Sequence, residues 1–257
     1  MGKRNMSAGI AFTKMHGLGN DFVVINNLEQ NLSFTPAMIS QMADRNMGIG
    51  CDQVLVIEKS SEPSIDFLYR IFNADGTEVG QCGNGARCLA KFIHDKKLSP
   101  KKQLRVKTIS SVLELAYEGD NKISVNMGIP KDIAPIQEKL FLGLQLNIGN
   151  PHAVFKTDNL EDMGLTNLGL DHFNVEFMKV LSRDHIRLRV FERGVGETKA
   201  CGSGACASVV AGIAQKWLDE KVTVDLPGGT LNIEWKGEKS PVIMTGPAVT
   251  VFEGVWP

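Results

Sequence analysis

The sequence contains no apolar run as long as the ~20 residues that a membrane-spanning helix requires. It also lacks an excess of either charge, since 28 lysines and arginines stand beside 29 aspartates and glutamates. Binding to nucleic acid or to an anionic membrane is therefore not expected. The first residues include Lys3 and Arg4 but no apolar segment typical of a signal peptide. We expect a soluble, cytoplasmic protein.

The cysteines do not fit a disulfide framework or a metal site. Their number is odd, which argues against structural disulfides in a chain that is not exported. No pair has the close spacing of zinc ligands or of a Cys-x-x-Cys redox motif, so neither zinc nor thiol-disulfide exchange is favoured. We expect core positions for Cys88 and Cys206, leave Cys51 unassigned, and consider the remaining two separately. The five cysteines are Cys51, Cys82, Cys88, Cys201 and Cys206.

Those two cysteines lie in a segment that occurs twice. Residues 72–86 read FNADGTEVGQCGNGA, and residues 191–205 read FERGVGETKACGSGA. Aligned without a gap at an offset of 119 (201 − 82 = 119), six of the fifteen positions are identical. Matched spacing on both sides of a cysteine predicts two related halves, each of which presents one thiol in the same local geometry.

The residues around Cys82 and Cys201 favour chemistry over packing. A lone cysteine is often a small buried hydrophobe, but the Gly-x-Gly that follows each cysteine offers no side chain to pack. Helical sequence follows, over 87–97 and 205–221, which places each thiol at or just before a helix N-terminus. Unpaired N–H groups there bind anions and lower a thiol pKa. Two such thiols, approaching one carbon from opposite faces, are what a cofactor-free racemase or epimerase needs.

Periodicity predicts an α/β chain in two halves joined near residues 128–130. A helix begins at Thr35-Pro36 and runs to about Arg45, with Thr35 as the cap. The helix over 205–218 is apolar on nearly every side, so we expect it to be buried with sheet around it. The predicted strands are 22–26, 53–58, 65–73, 103–108, 112–118 and 122–127 in the first half, and 153–156, 186–192, 221–226, 230–235 and 242–253 in the second.

Several motifs together resemble the diaminopimelate epimerase family over residues 12–254. They are FTKMHGLGNDF from Phe12, FNADG from Phe72, CGNGARC from Cys82, GNPH from Gly149, ERG from Glu192 and ETKACGSGAC from Glu197. The resemblance implies an α/β (α+β) fold of two pseudo-symmetric domains, each a curled mixed β-sheet around a central helix, with the active site between them. The domains would be 1–126, with a returning C-terminal strand 247–257, and 127–246.

The resemblance also implies a reaction. LL-diaminopimelate and meso-diaminopimelate would be interconverted on the route to lysine and peptidoglycan precursors, without metal, pyridoxal phosphate or another cofactor. One cysteine, as thiolate, removes the α-proton, and the other, as thiol, protonates the opposite face. N–H groups of the two helix N-termini would stabilise the charge that develops on the α-carboxylate.

Other positions carry over from the family one by one. His152 and Glu192 match residues that tune the two thiols and hold the substrate amine, so the predicted catalytic set is Cys82, Cys201, His152 and Glu192. Arg193 would hold the distal carboxylate through two parallel hydrogen bonds, which lysine cannot copy. The remaining predicted substrate-binding residues are Asn20, Gln53, Asn73, Gly83, Asn84, Asn150, Asn174, Gly202 and Ser203.

The family usually forms homodimers, and near the C-terminus this chain has Phe252 where the family often has a tyrosine at the dimer contact. A proline racemase-like enzyme of the same fold is the alternative function. Such enzymes typically carry histidine after the first Cys-Gly, where this chain has Asn84. They also bind a ring that has no use for a distal clamp such as Arg193.

Overall fold

The computed structural model describes residues 9–138, 140–161 and 166–257, which form two compact units. The first unit takes the chain up to Gly17, Asp21–Glu114 and Ala248–Pro257, and the second takes Leu18–Asn20 and Leu115–Pro247. The basic residues at the start of the chain, on which the signal-peptide argument rests, lie outside the described residues. No helix in the described part is long and apolar enough to cross a membrane.

The first unit is a mixed sheet with one short and one long helix. Strands β2 and β3 are parallel, β3 and β4 antiparallel, β4 and β5 antiparallel, and β4 and β6 parallel. Its elements are β1 (Ile10–Gly17), β2 (Asn20–Asn26), α1 (Pro36–Ala43), β3 (Gln53–Lys59), β4 (Phe67–Asn73), β5 (Glu78–Val79), α2 (Gly83–Asp95), β6 (Gln103–Lys107) and the start of β7 (Val112–Gly119). The last strand of the chain, Val249–Trp256, pairs antiparallel with β1.

The second unit repeats this connectivity. Strands β11 and β12 are parallel, β12 and β13 antiparallel, β13 and β14 antiparallel, and β13 and β15 parallel. Its elements are β8 (Lys122–Asn126), β9 (Lys131–Glu138), β10 (Phe141–Asn147), β11 (Pro151–Lys156), β12 (Asn174–Ser182), β13 (His185–Glu192), β14 (Gly196–Thr198), α3 (Gly202–Ala214), β15 (Lys221–Leu226), β16 (Gly229–Glu234) and β17 (Ile243–Pro247), followed by β18 (Val249–Trp256) in the first unit.

The repeat in the sequence is also a repeat of strand register. Phe72 on β4 pairs with Glu78 on β5, and Phe191 on β13 pairs with Glu197 on β14. In each unit a long helix follows these two strands. The strand after the helix then pairs parallel with the first of the two, β6 with β4 and β15 with β13. The predicted class, two related domains of mixed sheet with a central helix each, is confirmed.

Both long helices are buried along most of their length. In α2 every residue from Asn84 to Ile93 is buried, and in α3 burial extends from Gly202 to Gly212 with the exception of Ser203. A helix without a solvent-facing stripe must be surrounded by other parts of the fold, because its side chains leave water on all sides. This confirms the expectation for the apolar helix of the second half.

The helix limits differ from the predicted ones. The helices begin at Gly83 and Gly202 instead of residues 87 and 205, because each cysteine is the N-cap and the glycines form the first turn. They end earlier as well, since the chain turns through left-handed residues at Lys97 and Lys216, with φ of 54° and 62°. Helix α1 begins as predicted, with Thr35 Oγ1 accepting from Met38 N, but ends at Ala43.

Two other expectations about strands change. The single last strand predicted over 242–253 was wrong, because it is two strands, β17 and β18, separated at Ala248. The strands that were not predicted are β1, β5, β9, β10, β12 and β14. The structure divides its units after Glu114, whereas the predicted boundary follows Asn126. Strand β8 pairs with β17, which accounts for its place in the second unit. The domain limits drawn from the sequence stay a prediction.

Candidate active site

Cys82 caps the N-terminus of α2. Its backbone is extended, with φ −153° and ψ 107°, and its Sγ accepts a hydrogen bond from Gly85 N at 3.3 Å. The side chain is half-buried. A sulfur that accepts from a free N–H at the positive end of a helix is favoured in its thiolate form.

Cys201 occupies the same place at α3, with φ −117° and ψ 112°, but its surroundings differ. It is buried, and Ser203 Oγ lies 3.5 Å from its Sγ. Burial raises the pKa of the Cys201 thiol well above its ordinary value, and the carboxylates of Glu192 and Glu176 raise it further. The hydroxyl of Ser203 and the N–H of Gly204 act in the opposite direction but are outweighed. Cys201 is therefore held as a thiol, contrary to the expectation of a lowered pKa.

A buried hydrogen-bonded row runs from Glu176 through His152 to Asn150. His152 Nδ1 lies 2.7 Å from Glu176 Oε1, and Nε2 lies 2.9 Å from Asn150 Oδ1. Burial raises the pKa of Glu176, and His152 offsets only part of this effect. Glu176 and Asn150 thus occupy both ring nitrogens of His152. The row leaves the amide nitrogen of Asn150 as the donor for a ligand.

Glu192 and Asn174 are held by neighbours within the second unit. Thr198 Oγ1 donates to Glu192 Oε1 at 2.6 Å, which fixes this carboxylate near Cys201. Asn174 lies opposite His152 in the β11–β12 register, and its Oδ1 accepts from Arg193 N at 2.9 Å. Asn174 thus orients the backbone that carries the exposed Arg193 side chain.

In the first unit the predicted amides are paired with one another or with the helix. Gln53 and Asn73 lie opposite each other on β3 and β4, and Gln53 Nε2 donates to Asn73 Oδ1 at 2.9 Å. Asn84 Oδ1 accepts from Arg87 Nη2 at 2.9 Å, and the Arg87 side chain is fully buried. The bond between Asn84 and Arg87 holds the first turn of α2, whose N–H groups would face an anion.

The predicted residues divide between the units. Cys82, Gly83, Asn84, Gln53 and Asn73 belong to the first unit. The second unit contains Asn20, Asn150, His152, Asn174, Glu192, Arg193, Cys201, Gly202 and Ser203.

Sequence reasoning missed Glu176 and Tyr69. Glu176 is the one charged residue in the buried stretch from Asn174 to Met178, which is a signal that becomes readable only when β12 is recognised as a strand. Tyr69 takes an inward position on β4, where alternate residues are buried. In the described ranges no group of three or more His, Cys, Asp and Glu residues could hold a metal ion.

Comparison with known proteins identifies the family. The family model described as diaminopimelate epimerase matches residues 12–133 and 145–251. The chain is 49% identical over 271 residues to the diaminopimelate epimerase of Ectopseudomonas mendocina (strain ymp), and the match covers 95% of this chain and 98% of that protein. The chain belongs to the diaminopimelate epimerase family. The resemblance seen in the motifs is thereby confirmed, and the protein is an isomerase of the epimerase type.

Solved structures share the fold of this family at low sequence identity. A phenazine biosynthesis protein of the PhzF family from Bacillus anthracis has a TM-score of 0.74 and 18% identity, with 95% of this chain and 98% of that chain covered. A hydroxyproline epimerase from Agrobacterium vitis has a TM-score of 0.71 and 12% identity, with 97% and 92% covered. The diaminopimelate epimerase fold is thus shared by proteins of different names, so specificity must come from side chains.

Proposed function

We propose that the protein interconverts LL- and meso-diaminopimelate by a two-thiol mechanism that needs no cofactor. The observation that carries the proposal is the pair of cysteines, each the N-cap of a buried helix at the same position of the repeat. Relatives at 47–49% identity over nearly their whole length are named for this reaction. The product would serve lysine and peptidoglycan precursor synthesis in the cytoplasm.

The two thiols have different starting states. Cys82 accepts an N–H hydrogen bond and acts as the thiolate, whereas Cys201 is buried beside two carboxyl groups and acts as the thiol. Cys82 removes the α-proton, and the electron pair of the C–H bond passes into the α-carboxylate as an enediolate. Cys201 then gives its S–H proton to the opposite face of the α-carbon. Each turnover leaves a thiol at Cys82 and a thiolate at Cys201, so the reverse reaction starts from this state.

The α-carboxylate would be bound by N–H groups of Gly83, Asn84, Gly202 and Ser203. The first turns of α2 and α3 supply these donors, which act on charge that develops during the reaction. The gain is of the order of 2.7–4 kcal/mol for each well-placed donor, by comparison with oxyanion holes in other enzymes.

Polar side chains would select the substrate. Glu192, fixed by Thr198, would hold the α-amino group, and the Asn150 amide would donate to the carboxylate. His152 would act through Asn150 and Glu176, since these two residues occupy its ring nitrogens. Asn20, Gln53, Asn73 and Asn174 would complete the polar surroundings. Arg193 would hold the distal carboxylate, a role to which its exposed side chain is suited.

Replacing either thiol tests the mechanism. We expect Cys82→Ala and Cys201→Ala each to abolish epimerisation while leaving the unfolding temperature close to that of the wild type, because each direction needs an acid and a base. Cys88→Ala and Cys206→Ala are matched controls, since these buried cysteines lie on the same two helices. Turnover is followed by exchange of the α-proton of LL-diaminopimelate in heavy water. Substantial turnover by either thiol variant would remove that cysteine from the mechanism.

Proline and 4-hydroxyproline serve as competing substrates in the same assay. The fold shared with a hydroxyproline epimerase makes a proline racemase-like activity the second candidate. Exchange at the α-carbon of these ring substrates, with none for diaminopimelate, would replace the proposed substrate but keep the two-thiol chemistry.

A homodimer is also proposed, with β18 at the contact. Val249, Val251, Phe252 and Val255 on this strand expose between 42% and 66% of their surface. The Phe252 ring also packs edge-on against Phe12 at 5.9 Å, so it is held in place without a hydroxyl group. We expect sedimentation of the wild type as a dimer and of Val251→Glu as a monomer. A monomeric wild type would remove this part of the proposal.

A further inference from the structure

The hydroxyl group of Tyr69 is buried without a hydrogen-bond partner. Tyr69 lies on β4 with no exposed surface, and its Oη contacts no donor or acceptor of suitable geometry among the described residues. A polar group that loses water and gains no partner is costly, and such groups are rare in folded proteins. Phenylalanine would fill the same space without that cost. The hydroxyl therefore calls for an explanation beyond packing.

The hydroxyl points at the first turn of α2, beside the Cys82 sulfur. A Cβ atom built on Gly85 would lie 2.5 Å from Tyr69 Oη and 3.3 Å from Cys82 Sγ. The hydroxyl and the sulfur are therefore no farther apart than the sum of these two distances. Gly85 is the residue that allows this approach, since any side chain there would collide with the phenol. Cys82 also acts electrostatically on the Tyr69 hydroxyl group, which agrees with this closeness.

The charges around this pair favour Tyr69 as a donor. Burial raises the pKa of Tyr69 well above its ordinary value, and the nearby Cys82 and Cys88 raise it further, so the phenol keeps its proton. Burial also raises the pKa of Cys88 to about 12, with Arg87 and Lys91 as the nearby cations acting in the opposite direction. Cys88 therefore remains a thiol, and Cys82 is the sulfur beside Tyr69 that can carry charge.

The second unit offers no such donor at the matching place. The position 119 residues after Tyr69 is Leu188 on β13, which is fully buried and apolar. Cys201 instead faces the carboxyl groups of Glu192 and Glu176. A buried phenol thus accompanies Cys82 alone, whereas the hydroxyl group near Cys201 is that of Ser203 in the first turn of its own helix.

We propose that Tyr69 is a positioning residue for Cys82, whose thiolate accepts a hydrogen bond from the Tyr69 hydroxyl group in addition to the bond from Gly85 N. The inference rests on the proposed role of Cys82 as a base. The phenol keeps its proton throughout. When the sulfur takes up the α-proton of the substrate, it becomes a poor acceptor and the hydrogen bond weakens, so Tyr69 favours the state that begins the reaction.

The test is Tyr69→Phe, which removes one oxygen atom and preserves the shape of the core. We expect the variant to unfold at nearly the same temperature as the wild type, because the substitution leaves the packing of the core unchanged. Activity should fall about tenfold in kcat with little change in KM, since one hydrogen bond to a charged group is worth about this factor. Tyr117→Phe, at the other tyrosine of the chain, is the matched control and should retain wild-type kinetics.

The pH midpoint for ionisation of the Cys82 thiol is a second measurement, and it would not change if Tyr69 served only to pack the core. Alkylation by iodoacetamide, measured against pH and located by peptide mass spectrometry, reports the thiolate fraction of each cysteine. In Tyr69→Phe the midpoint for Cys82 should move upward by about one pH unit. The profile of Cys201 in the same sample should not move, which makes it an internal reference.

The outcomes separate the two hypotheses. An unchanged Cys82 midpoint, or a loss of activity that accompanies a loss of stability, would overturn the role of Tyr69. A shifted midpoint in a protein whose wild type does not exchange the α-proton of diaminopimelate would support the hydrogen bond and reject the proposed substrate.

Discussion

Gly204 in the first turn of α3 allows a test of how firmly Glu176 is held. A Cβ atom at this position would lie 2.7 Å from Glu176 Oε1 and 3.3 Å from Glu176 Cδ. Glu176 has no exposed surface, and the same oxygen bonds to His152 Nδ1 at 2.7 Å. In Gly204→Ala the methyl group and the carboxyl group cannot both keep their places. The hydrogen bond to His152 must lengthen or break.

Two effects of Gly204→Ala oppose each other. Alanine in a helix is favoured over glycine by up to about 1 kcal/mol. Loss of a hydrogen bond to a charged or strongly polar buried group costs about 1.5–3 kcal/mol, and overpacking a filled core costs about 1–3 kcal/mol. We therefore expect Gly204→Ala to lower the free energy of unfolding by about 2–4 kcal/mol, because the packing and hydrogen-bond losses exceed the gain in propensity.

Denaturant unfolding of four proteins measures the effect. They are the wild type, Gly204→Ala, Glu176→Asp and the double variant. Aspartate withdraws the carboxyl group by one methylene, so the alanine should cost less in its presence, with a coupling energy of about 1 kcal/mol or more. A Gly204→Ala protein as stable as the wild type would refute the reasoning. So would strict additivity, since it would mean that residue 204 does not contact the carboxyl group.

The other predictions concern charged groups. Burial alone would raise the pKa of Asp21, but hydrogen bonds from Arg45 and Lys14 outweigh it and hold the pKa below the usual range. A folded-state pKa below the unfolded one adds stability above the unfolded pKa and loses it as the pH falls, so Asp21→Asn should be less stable than the wild type at neutral pH, with the difference in unfolding temperature shrinking below about pH 4. A difference that is constant with pH would exclude the ion pairs as its source. For Arg193→Lys we expect kcat/KM for diaminopimelate to fall at least tenfold, because lysine cannot form two parallel hydrogen bonds to a carboxylate. Normal kinetics would mean that another residue binds the distal carboxylate.

The strongest local patterns predicted the fold, and tertiary contacts account for what was missed. The buried helix α3 follows from its apolar residues alone, and strands β15 and β16 lie within one residue of the predicted 221–226 and 230–235. The two cysteines lie at helix N-termini as predicted, but the starts of α2 and α3 were predicted three or four residues too late, because cysteine is not a usual N-cap and glycine has low helix propensity. Their first turns are stabilised by contacts from other strands instead.

Glu176 and Tyr69, which lie behind the candidate site, are placed by contacts between residues far apart in the sequence. Strand β12 was missed because Glu176 interrupts its apolar pattern, and this residue is tolerated in the core only through its bond to His152 on β11. Tyr69 lay in a strand that was predicted, but its approach to Gly85 depends on how β4 packs against α2. No spacing in the sequence encodes either distance.

The pairing of β18 with β1 has a consequence for synthesis of the chain. Strand β1 precedes the other described strands along the chain, whereas its partner follows the whole second unit. Until then one edge of β1 lacks its neighbour, and unpaired strand edges are prone to wrong pairing. The second unit is continuous from Leu115 to Pro247 apart from Leu18–Asn20. All of its residues therefore precede β18 in the chain. We therefore expect β1 to gain its partner only after the whole second unit has been synthesised.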